Sequence, residues 1–424
     1  MRPHEKLDRF FGEFFRLFRQ ADPSTHFNFL RRAEEEFRRV GWREKIPATV
    51  ENILIVRLDA IGDMILTSGF IREVRANFPQ AKITLVCSSA TYPIVELCPY
   101  VNEILIFDAR NLDQNFPKLL ETVAVFCREN LWRKNFSIAF SPQWGSDNLP
   151  AILMCWLSGA RERIGFDTYP YASWGMKISE EAAARDNLLL TKNILTPRSA
   201  VSEVEHHFYL LEAVGLKVNQ THMELFFDKA DVLQACELLK NIPSTRKKVL
   251  FGLGAGLLNR KYPVEKYLVA LKELSKKNLT FVLVGGKNEL DEADFVEKNL
   301  PPGKILNLVG KTTLRETEAV ISQTDFYLGN DSGVMHMAAA MQIPVLVLYR
   351  DAADKENFLP GGFSEAARFP PWQTKAVILR PDHQLEECAK KPPVYGWCHE
   401  KEPHCITQIT PQEIIAGFET LEEL

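Results

Sequence analysis

The chain has 424 residues, of which 46% are hydrophobic and 25% charged, and its formal net charge is −4. This length exceeds what one ordinary hydrophobic core supports and predicts two domains. The weak negative charge gives no basis for nucleic-acid binding. No apolar run approaches the roughly 20 residues that cross a bilayer. The N-terminus lacks the apolar core of a secretion signal. The cysteines lie mostly in apolar patterns, as in a reducing cytoplasm. Those in such patterns are Cys87, Cys98, Cys127, Cys155 and Cys236.

Residues 1–48 form a predicted helical extension with more basic than acidic residues. Five phenylalanines between Phe10 and Phe18 share one face of a helix. Such a face either lies on an anionic membrane surface, through residues 1–20, or packs on the protein itself or a partner subunit. The acidic residues Glu5, Asp8 and Glu13 dilute the positive charge and favour the packed arrangement.

Residues 49–225 repeat the order strand, turn, helix and predict a doubly wound α/β domain. The first strand, Asn52–Leu58, is apolar on both faces, as in a parallel sheet. The turn Asp59–Asp63 follows it, and the first helix is predicted over Met64–Phe78. Four more strands are predicted to follow, at Lys82–Cys87, Glu103–Asp108, Phe136–Ser141 and Arg163–Phe166.

Residues 226–424 repeat this plan in a second domain of the same kind. Strands are predicted at Lys248–Gly254, Leu279–Gly286, Ile305–Val309, Asp325–Gly329 and Pro344–Tyr349. Helices are predicted at Val264–Lys276, Leu290–Asn299 and Leu314–Gln323. Ligands of such sheets bind at the carboxyl ends of the strands, so the turns of both domains should line one cleft.

The stretch from Phe326 to Ala340 is the strongest candidate for a site. It begins as a strand, turns at Asn330–Gly333 and continues as a helix of small residues that carries His336. A helix N-terminus after a tight turn binds anions through its free N–H groups and its dipole. Asp331 and Ser332 are suitable N-cap residues, and Gly333 lets a phosphate approach the backbone.

Three other strand ends carry candidate residues. Asp63 opens the first helix, where it is either a functional carboxylate or a simple N-cap. The loop from Gly254 to Pro263 combines glycines with Arg260 and Lys261, which suits a diphosphate. Glu289 follows another strand, where it either accepts hydrogen bonds from ribose hydroxyls or caps a helix.

The motifs at these positions resemble those of glycosyltransferase family 9, the heptosyltransferases of lipopolysaccharide core assembly. They occur in the family's order over residues 50–350. The resemblance implies the GT-B fold, two Rossmann-like domains facing a cleft, here preceded by the N-terminal helical extension. The matching segments are Arg57–Thr67, Phe78–Ile83, Cys98–Ile104, Lys261–Pro263, Leu308–Leu314 and Gly329–Ala340.

The resemblance also implies roles for single residues. Asp63 matches the family's proposed catalytic base. In the second domain, which binds a nucleotide sugar, typically ADP-heptose, Arg260 matches a phosphate and sugar contact, with Lys261 as the alternative. Glu289 matches the ribose-binding acid, with Asn288 as the alternative, and Thr312 matches an adenine contact. The remaining implied donor-binding residues are Gly254, Asp331, Ser332, Gly333 and His336.

An inverting sugar transfer needs a carboxylate that takes the acceptor's proton and positive groups that stabilise the departing diphosphate. No cofactor or metal is expected. The cysteines of the tail, Cys388, Cys398 and Cys405, have no recognised zinc spacing. The acceptor is expected to be a lipid-linked glycan, although its loops, Gln143–Asn148 and Tyr169–Trp174, have no readable specificity. A relative that moves another sugar or modifies a protein, and a non-catalytic binding protein, remain alternatives.

Overall fold

The computed structural model describes residues 49–108, 116–144, 149–167, 180–195, 202–353, 364–387 and 402–424. These residues do not include the predicted helices of the N-terminal extension, Cys388 or Cys398. They also exclude the whole predicted acceptor loop Tyr169–Trp174 and residues 145–148 of the other one. Within them, no helix is long and apolar enough to cross a membrane.

The first half of the chain builds a six-stranded parallel sheet flanked by helices. Its strands are β1 (Asn52–Val56), β2 (Lys82–Cys87), β3 (Glu103–Ile106), β4 (Ile138–Ser141), β5 (Glu162–Phe166) and β6 (Lys192–Ile194). Its helices are α1 (Ile61–Asn77), α2 (Tyr92–Val95), α3 (Phe116–Asn130), α4 (Leu149–Leu157), α5 (Glu180–Leu189) and α6 (Glu203–Ala213).

The second half builds another six-stranded parallel sheet. Its strands are β7 (Lys247–Gly252), β8 (Leu279–Val284), β9 (Ile305–Asn307), β10 (Phe326–Asn330), β11 (Val345–Leu348) and β12 (Ala376–Leu379). Its helices are α7 (Lys229–Leu239), α8 (Val264–Leu274), α9 (Leu290–Asn299), α10 (Leu314–Ile321), α11 (Gly333–Ala340), α12 (Glu365–Arg368) and α13 (Pro411–Glu423).

The two sheets have the same topology. The first has the strand order β3-β2-β1-β4-β5-β6, and the second has β9-β8-β7-β10-β11-β12. The chain reverses its direction of winding between β1 and β4 in the first sheet and between β7 and β10 in the second. Ligands of doubly wound sheets bind at such switch points, beyond the carboxyl ends of the strands. Asp63, Gly254 and Asp331 follow the ends of β1, β7 and β10, so they lie at these points.

The fold confirms the predicted α/β architecture and corrects three details. The short edge strands β6 and β12 were missed, because three or four residues give little periodicity. The first helix begins at Ile61 rather than Met64, because Ala60 is already its extended N-cap residue. Cys236 is exposed, because α7 buries the face of Asp231, Ala235 and Leu239 instead.

The two halves share an apolar core. One buried cluster contains Met64 and Ile65 of α1 together with Met335 and Met337 of α11. The connection between the halves runs along α1, where Arg72 donates hydrogen bonds to the carbonyl oxygens of Gln220 and His222, both at 2.8 Å. The cleft between the switch points therefore has a packed floor.

Candidate active site

Asp63 lies in the first turn of α1, and it is not the N-cap of that helix. Ala60 occupies the N-cap position and makes no side-chain capping bond. The Asp63 side chain remains 22% exposed, and one of its carboxylate oxygens lies 3.2 Å from Nη2 of Arg57. The simple capping explanation for Asp63 is therefore wrong.

Arg57, directly after β1, is the centre of a buried charge cluster. Its side chain is fully buried and contacts Asp59 at 2.7 Å and Glu203 at 3.2 Å. Burial alone would lower the pKa of Arg57, but the carboxylates of Asp59, Glu203 and Asp63 raise it. The guanidinium therefore stays charged and is a fixed hydrogen-bond donor for Asp63.

His207 completes this cluster as a neutral imidazole. Arg57 Nη1 and His207 Nε2 lie 3.0 Å apart, and His207 Nδ1 lies 3.1 Å from the carbonyl oxygen of Leu66. Because a guanidinium only donates and a carbonyl only accepts, the proton of the ring belongs on Nδ1. Burial, more than any other effect, lowers the pKa of His207. The imidazole thus orients Arg57 without adding positive charge.

In the second half, Asn330 joins the end of β10 to the glycine loop after β7. Its amide nitrogen donates to the carbonyl oxygen of Leu253 at 2.9 Å. Its amide oxygen accepts from the backbone N–H of Tyr262 and the hydroxyl of Tyr267, both at 3.0 Å. These buried bonds fix the segment that carries Arg260 and Lys261 beside the turn that carries Asp331.

Arg260 pairs with the carboxylate of this turn. Its Nη1 lies 3.3 Å from a carboxylate oxygen of Asp331, and its Nη2 donates to Glu365 at 2.8 Å. Glu365 is also held by two hydrogen bonds from Arg350, at 3.0 Å and 2.6 Å. The Arg260 side chain remains 17% exposed, so its guanidinium can also meet a ligand in the cleft.

Burial shifts the pKa values of both Asp331 and His336. Burial, together with the nearby carboxylates of Glu365 and Asp351, raises the pKa of Asp331 to about 7, although Arg260 lowers it. Burial, together with Arg260, lowers the pKa of His336 to about 3. The 3.9 Å between His336 Nε2 and Asp331 is therefore a contact with a neutral imidazole and not an ion pair. The carboxylate oxygen of Asp331 that faces Arg260 and the Nδ1 atom of His336 are buried without a hydrogen-bond partner.

The N-termini of α1 and α11 meet at the floor of the cleft. A Cβ atom on Gly62 would lie 2.9 Å from the His336 ring, and one on Gly333 would lie 2.9 Å from Ile61 Cγ2. Only glycine allows this approach. Neither helix has a side-chain capping bond at its N-cap residue, Ala60 or Ser332. Two positive helix ends therefore converge on one point of the cleft, where they favour a negatively charged ligand.

The other predicted donor-binding residues lie farther along the edge of the second sheet. The Nζ atom of Lys261 pairs with Glu292 at 2.6 Å and lies 3.7 Å from Glu289. Glu289 accepts a hydrogen bond from the N–H of Gly286 at 2.8 Å, so it caps the local turn and leaves its other oxygen toward Lys261. A Cβ atom on Gly254 would lie 3.2 Å from the Glu289 carboxyl carbon.

Thr312 lies after β9 and shares a 2.9 Å hydroxyl contact with Thr317.

The sequence did not reveal three further residues of the site, Glu203, Glu365 and Arg368. Each is buried and pairs with a residue more than 100 positions away in the sequence. The local signal is the capping box of Ser202 and Glu205 at the start of α6. Within the described residues, no group of three or more His, Cys, Asp or Glu side chains could hold a metal ion.

The family model of glycosyltransferase family 9 (heptosyltransferase) matches residues 171–398, more than half of the chain. The chain belongs to glycosyltransferase family 9. It is therefore a glycosyltransferase. Lipopolysaccharide heptosyltransferase 3 of Escherichia coli is 23% identical over 292 residues, which are 68% of this chain and 79% of the relative. Lipopolysaccharide heptosyltransferase 2 of Salmonella typhimurium is 21% identical over 380 residues, 87% of this chain and 98% of the relative.

Solved structures of the family have the same fold. A family 9 glycosyl transferase from Veillonella parvula superposes with a TM-score of 0.68 at 18% identity, covering 90% of this chain and 99% of the other. The ADP-heptose lipopolysaccharide heptosyltransferase II of E. coli superposes with a TM-score of 0.62 at 18% identity, covering 88% and 100%. The predicted GT-B architecture is thereby confirmed for this family 9 chain.

Proposed function

We propose that this enzyme transfers a heptose from ADP-heptose to a lipopolysaccharide core or related surface glycan, with inversion at the anomeric carbon. The observation that carries the proposal is the meeting of α1 and α11. It brings Asp63 of one domain close to Arg260 and Asp331 of the other. Burial lowers the pKa of the Arg260 guanidinium, but Glu365, Asp331 and, to a smaller extent, Asp63 raise it. Asp63 is therefore near enough to Arg260 to interact with its charge. The names of the relatives support the choice of sugar and acceptor.

In this proposal the donor diphosphate binds at the N-terminus of α11, between the N–H groups of its first turn and Arg260. Glu289 accepts hydrogen bonds from the ribose, with Lys261 beside it, and Thr312 contacts the adenine. Asp63 removes the proton of the acceptor hydroxyl as that oxygen attacks the anomeric carbon. Arg260 and the helix dipole stabilise the charge that develops on the leaving ADP.

The acceptor would then enter from the side of the first domain, above Asp63. A lipid-linked glycan would place the enzyme in the cytoplasm at the inner face of the inner membrane, with residues 1–20 available for peripheral contact. The proposal requires no cofactor.

The test is a screen of nucleotide sugars with the purified full-length protein. We expect ADP-heptose to give the largest thermal stabilisation, since a ligand of the native state adds RT ln(1 + [L]/Kd) to its stability. With a heptose-accepting core oligosaccharide, mass spectrometry should detect the acceptor carrying one additional heptose, and Asp63→Asn serves as the inactive control. Transfer of a different sugar would overturn the choice of donor, and binding of no nucleotide would overturn the donor site itself.

The buried carboxyl of Asp331 should make donor binding depend on pH. Its raised pKa, about 7, would rise further when a diphosphate binds beside it, so binding takes up a proton above pH 7. The affinity for ADP-heptose should therefore fall as the pH rises above 7, by up to about tenfold per pH unit, and level off below it. The donor itself adds no slope, because its diphosphate is esterified at both ends. Isothermal titration calorimetry across this range measures the effect.

Asp331→Asn is the matched control for this pH dependence. It keeps the shape of the side chain but cannot ionise, so the slope should disappear. Asp351, whose pKa burial raises to about 6 and which pairs with Arg380 at 2.8 Å, is unchanged in this variant. An equal slope in wild type and Asp331→Asn would assign the proton uptake to another group and contradict the prediction.

A further inference from the structure

Two sets of ion pairs, joined by the short helix α12, connect the candidate donor site to the candidate base. The series begins at Arg260, whose Nη2 lies 2.8 Å from Glu365, the first residue of α12. The last residue of α12, Arg368, donates two hydrogen bonds to one oxygen of Glu203, at 3.1 Å and 3.0 Å. The other oxygen of Glu203 lies 3.2 Å from Arg57, which in turn lies 3.2 Å from Asp63.

This series of ion pairs crosses from one domain to the other through α12. Glu365 and Arg368 follow β11 in the second half, whereas Glu203 and Arg57 belong to the first. Arg368 also donates a hydrogen bond to the carbonyl oxygen of Trp144 at 2.9 Å, and its guanidinium lies 4.7 Å from the centre of the Trp144 ring. The contact therefore combines an ion pair, a hydrogen bond and a cation–π interaction.

The single turn of α12 is held at both ends. The Ser364 hydroxyl accepts a hydrogen bond from the N–H of Ala367 at 3.1 Å and caps its start. The hydroxyl of Tyr349, the residue after β11, donates to the carbonyl oxygen of Phe369 at 2.6 Å and holds the end of α12. These bonds hold the two ends of the short helix, so they fix the position of Glu365 relative to Arg368.

Glu203 connects the ion pairs of the first domain to those of α12. Its side chain is fully buried between two guanidiniums. Although burial opposes ionisation, the guanidiniums of Arg368 and Arg57 hold the pKa of Glu203 well below its usual value. Among the described residues, the Glu203 carboxylate pairs with both Arg57 and Arg368. Its removal takes away an attraction that offsets the repulsion between the two cations.

We propose that Glu203 and Arg368 are positioning residues, which through α12 and Arg57 set the place of Asp63 relative to a donor held by Arg260. Neither residue touches the reacting atoms in this scheme. The catalytic part of the inference rests on the proposed function, whereas the mechanical coupling does not. A displacement of about 1 Å at a catalytic group costs roughly 100-fold in rate, which is why such a link matters.

The kinetic test compares Glu203→Gln with Glu73→Gln. Glu73 is the matched control, because it lies on α1, is also buried and pairs with an arginine, Arg72, at 3.0 Å. Both variants should melt at lower temperature. We expect kcat to fall about 10- to 100-fold in Glu203→Gln alone, with ADP affinity unchanged in both. Equal kcat in the two variants, per folded molecule, would overturn the proposal.

A double variant separates positioning from charge balance. Glu203→Gln/Arg368→Gln removes one buried carboxylate and one buried guanidinium together, so the melting temperature should recover from that of Glu203→Gln. If Glu203 serves only to neutralise charge, kcat recovers as well, and the positioning role is overturned. We expect kcat to stay low, because Arg57 is no longer linked to α12.

Hydrogen exchange of the ligand-free protein tests the coupling without any substrate. In Arg368→Gln, exchange should accelerate in α6 and at the first hydrogen-bonded amides of α1, Met64–Thr67, while Glu73→Gln leaves those amides unchanged. Unchanged exchange there in Arg368→Gln would overturn the coupling. If the wild-type protein transfers no sugar, the proposed function fails, and this experiment still decides whether α12 links the two sites.

Discussion

Replacing Asp63 by Asn should lower turnover by about 10²- to 10⁴-fold, the usual contribution of a positioned acid or base. The variant keeps the shape of the side chain and loses the ability to accept the acceptor's proton. Folding should change little, since Ala60 and not Asp63 is the N-cap of α1. Donor affinity should also persist, because the donor contacts lie in the second domain. Steady-state kinetics, calorimetry with ADP-heptose and thermal melting measure the three properties.

Asp59→Asn is the matched control for this variant. Asp59 also pairs with Arg57, at 2.7 Å, and is exposed to a similar degree, 19% against 22%. Loss of a carboxylate partner of Arg57 is therefore common to both variants, whereas loss of the base is specific to Asp63. A typical base contributes more than the tenfold loss that would leave Asp63→Asn with about a tenth of wild-type turnover. The assignment is therefore contradicted if Asp63→Asn keeps more turnover than that. It is also contradicted if Asp59→Asn loses as much turnover as Asp63→Asn.

Arg260→Gln should lower kcat/KM by about 10²- to 10³-fold, the scale for removal of one group that stabilises developing negative charge. The effect should appear both in donor affinity and in kcat, because the diphosphate is bound in the ground state and gains charge as it departs. Glu365 keeps its two hydrogen bonds from Arg350 in this variant, so the neighbouring α12 should stay in place.

Lys261→Gln decides between the two candidate phosphate contacts. Lys261 is the next residue along the chain, but its Nζ pairs with Glu292 and lies near Glu289 rather than near Asp331. We therefore expect a smaller loss, confined to donor affinity. A larger loss of kcat in Lys261→Gln than in Arg260→Gln would transfer the role to Lys261.

The architecture was readable from the sequence because it depends on local, repeated signals. Strands that are apolar on both faces, such as Ile53–Val56, predict a parallel sheet, and their alternation with helices predicts two doubly wound units. The turns after β1, β7 and β10 were found in the same way, since glycine and acidic residues at strand ends stand out from the apolar pattern. The boundaries were less certain, because whether Ile61 or Met64 begins α1 depends on the conformation of Ala60.

The sequence by itself determined the two Rossmann-like units, their switch-point turns and the family motifs that contain Asp63, Arg260 and Asp331. The tertiary structure decided what surrounds those residues. The pairing of Arg57 with Glu203, and of Glu203 with Arg368, joins positions separated by 146 and 165 residues. No periodicity records such contacts, since they arise only when the two sheets pack and exclude water from charges that must then find partners. For the same reason the neutral state of His336 and the raised pKa of Asp331 follow from burial, which is a property of the folded chain.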